Sequence, residues 1–207
     1  MDLRFDCNKT LAVVGPSHSG KTIFTLAFLD KRRELFKQEI NRIVWCYGIY
    51  QPELVRQLHG RGYIPHDGIL PVNEIQGSDI IVLDDLLNQS VNSKDVTDMF
   101  TRAAHHKPCF IIFIMQNLFP PGKEARTRSL NTHYYIIFKN PRDQSQFNIF
   151  ARQVMPTKWK ALVKIFERAT ADRPYQYLFL DFTQSCPNEY RFRGNILKPP
   201  IDIYKIL

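Results

Sequence analysis

Residues 15–22, GPSHSGKT, have the types and spacing needed to hold a chain of phosphates. They fill every fixed position of the pattern G-x-x-x-x-G-K-[ST], in which glycines let the backbone approach phosphate oxygens and backbone N–H groups point at negative charge. We expect the Lys21 ammonium to reach the terminal phosphates of ATP and the Thr22 hydroxyl to bind Mg²⁺. The residues that should contact the nucleotide are Gly15, Pro16, Ser17, His18, Ser19, Gly20, Lys21 and Thr22.

The sequence on both sides of this phosphate loop supports the same interpretation. The apolar run 11–14 predicts a strand before it, and residues 23–29, with apolar positions three and four apart, predict a helix after it. The alternative, an ordinary strand-turn-helix connection that matches the pattern by chance, is less favoured in this context.

Two adjacent carboxylates, Asp84 and Asp85, follow the apolar run IIVL and have the form of a Walker B strand. A buried strand of this kind delivers one carboxylate to the metal and a second one to the attacking water. We expect Asp84 to hold Mg²⁺ through a water molecule and Asp85 to act as general base or to orient water. The alternative is a strand that merely ends at an Asp-Asp turn, which the phosphate loop upstream makes less favoured.

Gln116 follows the continuous apolar run 109–115, CFIIFIM, which is typical of a central strand in a parallel sheet. In ATPases where this strand lies between the phosphate-loop strand and the Walker B strand, a polar residue at its carboxyl end faces the γ-phosphate. Gln116 is therefore the candidate for the residue that orients the attacking water. An exposed amide at the end of a strand is the alternative.

Alternating strand and helix patterns predict an α/β fold, namely a P-loop NTPase three-layer sandwich with a mostly parallel sheet in the RecA-type (ASCE) order 5-1-4-3-2. The five main strands are predicted in the segments 11–14, 42–49, 79–87, 109–115 and 134–138. Helices are predicted at 20–36, 51–58, 93–106, 146–152 and 159–169, turns at 60–77, a loop at 118–132 and a last strand at 177–182. We expect one domain over 1–207, with a tail at 184–207.

Composition favours a globular protein with an anionic partner. The chain has 207 residues, and 28 Lys and Arg against 20 Asp and Glu give a net charge of +8. Such a balance favours nucleic acid first and a membrane surface second. The four scattered cysteines form no C-x-x-C pair and favour buried thiols in a reducing compartment. Because the amino terminus lacks a secretory signal and no apolar run is long enough to cross a bilayer, we expect an intracellular protein without a membrane partner.

A GTPase and a small-molecule phosphotransferase are the alternatives to an ATPase. A GTPase would need an N-K-x-D segment for guanine, and the residues after Asp84 do not form a D-x-x-G switch. A small-molecule phosphotransferase stays open, because the loop at 118–128 could act as its arginine-containing lid.

The order of four segments, GPSHSGKT, IIVLDDLL, FIIFIMQNLF and RSLNTHYYIIFKNPRDQSQFNIFARQ, resembles the FtsK–HerA superfamily. Within it, the chain is most similar to the A32-like genome-packaging ATPases of double-stranded DNA viruses and virus-like Polinton (adintovirus-type) elements, over residues 8–183. This resemblance implies a homo-oligomeric ring, hexameric or pentameric, that uses ATP to thread double-stranded DNA. It also implies a capsid or portal-vertex protein as partner and action in the host cell, in the nucleus or a cytoplasmic assembly site, or in the virion.

The resemblance also implies an arginine finger that reaches into a neighbouring subunit's site. Arg126 and Arg128 are the favoured candidates, Arg142 comes next, and Arg152 lies in the same region. Lys21, Thr22, Asp84 and Gln116 match the family pattern, whereas the catalytic carboxylate, commonly Glu in cellular relatives, is Asp85 here. An adaptor that binds DNA or capsid protein and uses ATP only to switch conformation remains the alternative to a motor.

Overall fold

Runs of β-branched and aromatic residues form one large sheet in the computed structural model, which describes residues 2–86, 108–119 and 129–206. The strands in these ranges are β1 (Thr10–Val14), β2 (Arg42–Tyr47), β3 (Ile64–Asp67), β4 (Asp79–Asp84), β5 (Phe110–Met115), β6 (Tyr134–Phe138), β7 (Tyr177–Asp181), β8 (Phe192–Gly194) and β9 (Asp202–Tyr204). The helices are α1 (Lys21–Asp30), α2 (Arg32–Leu35), α3 (Pro52–Gly60), α4 (Ser145–Val154) and α5 (Trp159–Ala169). The helix predicted at 93–106 lies outside the described residues, as do residues 120–128 of the predicted loop.

The predicted strand order is confirmed for the five main strands. The sheet has the order β3-β2-β4-β5-β1-β6-β7-β8-β9, so the series β6-β1-β5-β4-β2 corresponds to 5-1-4-3-2. These five strands are parallel to one another. The observed sheet differs from the prediction by its additional strands: β3 pairs in parallel at one edge, and β7, β8 and β9 continue antiparallel at the other.

Four local predictions need correction. The segment predicted as turns at 60–77 contains β3. The strand predicted to reach Ile49 ends at Tyr47, and the strand predicted over 79–87 ends at Asp84. The helix predicted to run from 20 to 36 is divided at Lys31, whose backbone is not helical. The Leu29 carbonyl there accepts hydrogen bonds from the Lys31 N–H and the Arg32 guanidinium.

Helices cover both faces of the sheet and complete a three-layer sandwich. Successive side chains of a strand point to opposite faces, and accordingly Leu11 and Val13 pack with Phe24 and Phe28 of α1. Ala12 and Val14 pack on the other face, in the cluster that contains α4 and α5 side chains such as Phe147, Phe150 and Leu162. The expected α/β sandwich is therefore confirmed, and the apolar β1 is buried along its whole length.

The segment 184–207 extends this sheet, because it contains β8 and β9. Arg193 of β8 is buried and forms an ion pair with Asp181 of β7, with a distance of 2.6 Å between Nη2 and Oδ2. None of the helices that the structure describes is both long enough and apolar enough to cross a lipid bilayer.

Candidate nucleotide-binding site

The sheet topology brings the three sequence-predicted motifs to one edge. Val14 pairs with Met115, and Asp84 pairs with Ile114, so β1, β5 and β4 end side by side. The prediction that β5 lies between the phosphate-loop strand and the Walker B strand is confirmed. Gly15, Gln116 and Asp85 therefore leave neighbouring parallel strands at their carboxyl ends, where ligands of open α/β sheets bind.

Backbone hydrogen bonds and glycine conformations shape the phosphate loop. The Gly15 N–H donates to the Met115 carbonyl (3.1 Å), and the Ser19 N–H donates to the Pro16 carbonyl (3.2 Å). Gly20 has φ +95°, and His18 at the loop crown also has a left-handed backbone (φ 63°). A Cβ atom at Gly15 would lie 2.6 Å from Ser19 Oγ and 2.8 Å from Phe138 Cβ. Both fixed glycines are thus required by the loop geometry itself.

The Lys21 side chain folds back onto the phosphate loop. Its Nζ donates to the carbonyl oxygens of Gly15 and Pro16, both at 2.8 Å. Burial lowers the pKa of Lys21, and the nearby charges of Asp84 and Asp85 oppose that shift. The Ser19 hydroxyl oxygen is buried and has no hydrogen-bond partner among the described residues. A phosphate chain fits this arrangement, since its oxygens would accept hydrogen bonds from both side chains.

Asp84 lies at the end of β4 in a site that favours its neutral form. Burial raises the pKa of Asp84 to about 6, although the hydrogen bond from Trp45 Nε1 (3.2 Å) lowers it. A bound divalent cation would favour the ionised form. The residues fit a cation that arrives with the nucleotide, because one carboxylate and the Thr22 hydroxyl leave positions for phosphate oxygens and water. Within the described ranges, no group of three or more His, Cys, Asp and Glu side chains could hold a metal by itself.

Asp85 and Gln116 meet directly. Gln116 Nε2 donates to Asp85 Oδ2 at 3.1 Å. Asp85 has a left-handed backbone (φ 53°), and its N–H donates to the Ile114 carbonyl of β5 (3.3 Å). This conformation ends β4 and turns the second carboxylate toward the strand that carries Gln116. Because these two polar groups are adjacent, one water molecule beside them could contact both the carboxylate and the amide.

Sequence reasoning did not identify Trp45 and Gln146, which support the site. Trp45 of β2 donates to Asp84, as described above. Gln146 of α4 accepts a hydrogen bond from the Leu118 N–H (3.0 Å) and donates to Asp143 Oδ2 (2.7 Å) and Asn117 Oδ1 (3.3 Å). Gln146 lies in the segment that carries the family resemblance. The residue types Trp and Gln do not indicate these partners, because the bonds to Asp84 and to residues 117 and 118 form between segments that are distant in sequence.

The candidate arginines are only partly described. Arg126 and Arg128 lie outside the described residues, so their assignment stays a prediction. Arg142 is exposed in the turn before α4. The guanidinium carbon of Arg152 lies 4.3 Å from the centre of the Trp159 ring, a cation–π contact within the same chain.

Solved structures share this fold over nearly the full length of the chain, and two of them are of one viral protein. The genome packaging NTPase B204 from Sulfolobus turreted icosahedral virus 2, in complex with sulfate, has a TM-score of 0.55 and 13% identity, covering 100% of this chain and 99% of that one. The same NTPase in complex with ATP-gammaS has a TM-score of 0.53 and 12% identity, covering 99% and 98%. No protein-family model and no curated protein matches the chain. At such identity the likeness establishes the fold.

Proposed function

We propose that the chain is an ATP-hydrolysing motor that moves double-stranded DNA into a viral capsid as part of an oligomeric ring. The observation that carries this proposal is the meeting of the phosphate loop, Asp84 and the Asp85–Gln116 pair at the ends of three neighbouring strands. The fold shared with a viral genome packaging NTPase over the whole chain supports the choice of motor among ATPases.

Different residues of the site would bind the triphosphate, the Mg²⁺ ion and the attacking water. The phosphate loop binds the triphosphate, and Lys21 exchanges its contacts with the loop carbonyls for contacts with the terminal phosphates. Thr22 and Asp84 would hold Mg²⁺, which when bound neutralises charge on the phosphates. Gln116 and Asp85 position one water molecule; as its oxygen bonds to the γ-phosphorus and the bond to ADP breaks, Asp85 accepts its proton.

A ring would complete the site from a second copy of the chain. We assign the arginine finger to Arg126 or Arg128 of a neighbouring subunit, with Arg142 as the next candidate. A guanidinium in that position stabilises charge on the transferring phosphoryl group and is worth about 10³- to 10⁵-fold in rate.

DNA and capsid are the proposed partners. The net charge of +8 favours binding to the DNA backbone, which is largely independent of sequence and weakens steeply as salt rises. The remaining partner would be a capsid or portal-vertex protein, in the host nucleus, at a cytoplasmic assembly site, or in the virion.

The first test is ATP hydrolysis with and without linear double-stranded DNA. We expect DNA to stimulate hydrolysis and the stimulation to fall between about 50 and 200 mM salt. Asp85→Asn should retain ATP binding and lose about 10²- to 10⁴-fold in the hydrolysis rate. Glu53→Gln, which alters an exposed carboxylate of α3, is the matched control and should hydrolyse ATP normally.

Two results would contradict the motor. One is a chain that DNA never stimulates and that stays monomeric at every concentration and in every nucleotide state. The other is an Asp85→Asn variant that no longer hydrolyses ATP and still supports packaging, as expected of an adaptor that only switches conformation.

A further inference from the structure

A pocket of about 500 Å³ lies on the side of the phosphate loop away from Asp84. It is lined by the loop residues 16–19, by Phe138 and Lys139 at the end of β6, and by residues 170–176 between α5 and β7. Since β6 lies beside β1 on the side opposite β5, this pocket and the Asp85–Gln116 pair flank the phosphate loop from two directions.

We propose that this pocket binds the base and ribose of a purine nucleotide, with the Tyr175 ring as the stacking surface. The inference rests on the proposed function of the phosphate loop. The terminal phosphate has to lie on the β5 and β4 side, where Lys21, Asp85 and Gln116 are. The rest of the nucleotide then leaves the loop toward β6. Of the two cavities lined there by Phe138 and Lys139, this one also contacts loop residues 16–19, whereas the other contacts Gly15 and Gln116.

Tyr175 is placed as a stacking residue would be. Its ring lies against the phosphate loop, because a Cβ atom added at Gly20 would be 3.3 Å from Tyr175 Cδ1. Nevertheless, 68% of the residue is exposed. Its backbone is left-handed (φ 65°), a conformation that costs free energy in a non-glycine residue. The left-handed backbone at Tyr175 therefore costs free energy, and the ring is too exposed for hydrophobic burial to offset that cost.

Hydrogen bonds fix the segment that presents this ring. Gln176 Oε1 accepts from the N–H groups of Asp172 (3.1 Å) and Arg173 (3.0 Å), which closes the turn before β7. The pocket lining contains two cationic side chains, Arg173 and Lys139, against one carboxylate, Asp172, so positive charge predominates beside the path proposed for the phosphates. Because stacking uses the face of a base and not its hydrogen-bonding edge, we expect ATP and GTP to bind with similar affinity.

The test compares the binding of ATP with the binding of inorganic triphosphate, which lacks the base and the ribose. Calorimetry would measure the dissociation constants of Mg-ATP and of inorganic triphosphate with Mg²⁺ for the full chain and its variants. We expect Tyr175→Ala to weaken ATP binding about 5- to 100-fold and to leave the binding of inorganic triphosphate unchanged. Tyr175→Phe should bind ATP as the unmodified chain does. Tyr50→Ala removes an exposed tyrosine that follows β2 and is the matched control.

The possible failures are distinguishable. If Tyr175→Ala weakens ATP and triphosphate equally, or weakens neither, the base pocket lies elsewhere and the inference is overturned. If the unmodified chain binds neither ligand, the proposed function fails and the inference fails with it.

Discussion

Asp84 is a candidate metal ligand, and its ionised carboxylate destabilises the fold when no cation is bound. Its pKa is raised to about 6 from an ordinary value of 3.8, so the folded protein holds this proton more tightly than the unfolded chain does. The group therefore stabilises the fold most below pH 4, and that stabilisation is lost as the pH rises from about 4 to 6.

We expect Asp84→Asn to raise the free energy of unfolding at pH 7.5, measured without nucleotide, by about 1–3 kcal/mol. The amide oxygen can still accept the bond from Trp45, and no buried charge remains. The gain should shrink toward zero as the pH falls to 4. Denaturant titrations at several pH values would measure it.

Asp67→Asn, which changes an exposed carboxylate at the end of β3, is the control and should not alter stability. A gain for Asp84→Asn that is the same at pH 4 and pH 7.5 would refute this account. The same variant should hydrolyse ATP poorly, since its amide is a weaker ligand for Mg²⁺ than a carboxylate is.

The candidate site residues stand out in the sequence where their spacing is local, and their roles stay predictions. Lys21 and Thr22 sit at fixed distances from Gly15 and Gly20, and Asp84 and Asp85 end an apolar run. The contact between Trp45 and Asp84 joins β2 and β4, and the register between these strands cannot be read from either segment alone. The ring of Tyr175 likewise meets Gly20 only after the sheet has formed.

Contacts between α4 and the residues that follow β5 determine where Gln116 is held. Gln146 bonds to the backbone of Leu118 and to the side chain of Asn117, so the first turn of α4 fixes the segment that follows Gln116. Gln146 is therefore a positioning residue: it acts on the candidate water-orienting amide through the backbone two residues further on.

We expect Gln146→Ala to lower kcat for ATP hydrolysis between about 10- and 100-fold and to leave KM nearly unchanged. The change loosens the orientation of Gln116 without touching the phosphate loop. Gln144→Ala, two residues earlier and exposed, is the control and should keep both constants. A rise in KM at constant kcat, or no kinetic change, would rule out the positioning role.

Elements were predictable where the apolar pattern was long. The five main strands were found from continuous apolar runs, and their order agrees with the RecA-type expectation. β3 and β8 escaped prediction because Ile64–Asp67 contains a proline and two polar residues, and Phe192–Gly194 has only three residues with Arg193 at its centre. Pairing to neighbouring strands, which is a tertiary interaction, makes these segments strands.

At the scale of the whole molecule, the buried pair Asp181–Arg193 joins the last strands to the sheet. The two side chains are 10% and 3% exposed, and the guanidinium lies 4.5 Å from the centre of the Phe179 ring. Arg193→Ala would leave a buried carboxylate without its partner, so we expect a loss of about 3–5 kcal/mol in the free energy of unfolding. Denaturant titration would measure the loss.

The double variant Asp181→Asn with Arg193→Met removes both charges and should recover most of that stability. Arg4→Ala, which breaks an exposed ion pair with Asp2, is the control and should unfold like the unmodified chain. If the double variant were no more stable than Arg193→Ala, the unpaired charge would not account for the loss.

The two outermost strands of the sheet limit how copies of the chain can join. β3 has four residues including Pro65, which has no N–H to donate, and β9 has three residues beginning with Asp202. Among the residues that the structure describes, neither edge offers a long row of open backbone groups to another sheet. In the proposed ring, neighbouring copies would therefore meet through side chains, and such a boundary could loosen and re-form during ATP hydrolysis, whereas a hydrogen-bonded sheet running across it would lock the copies together.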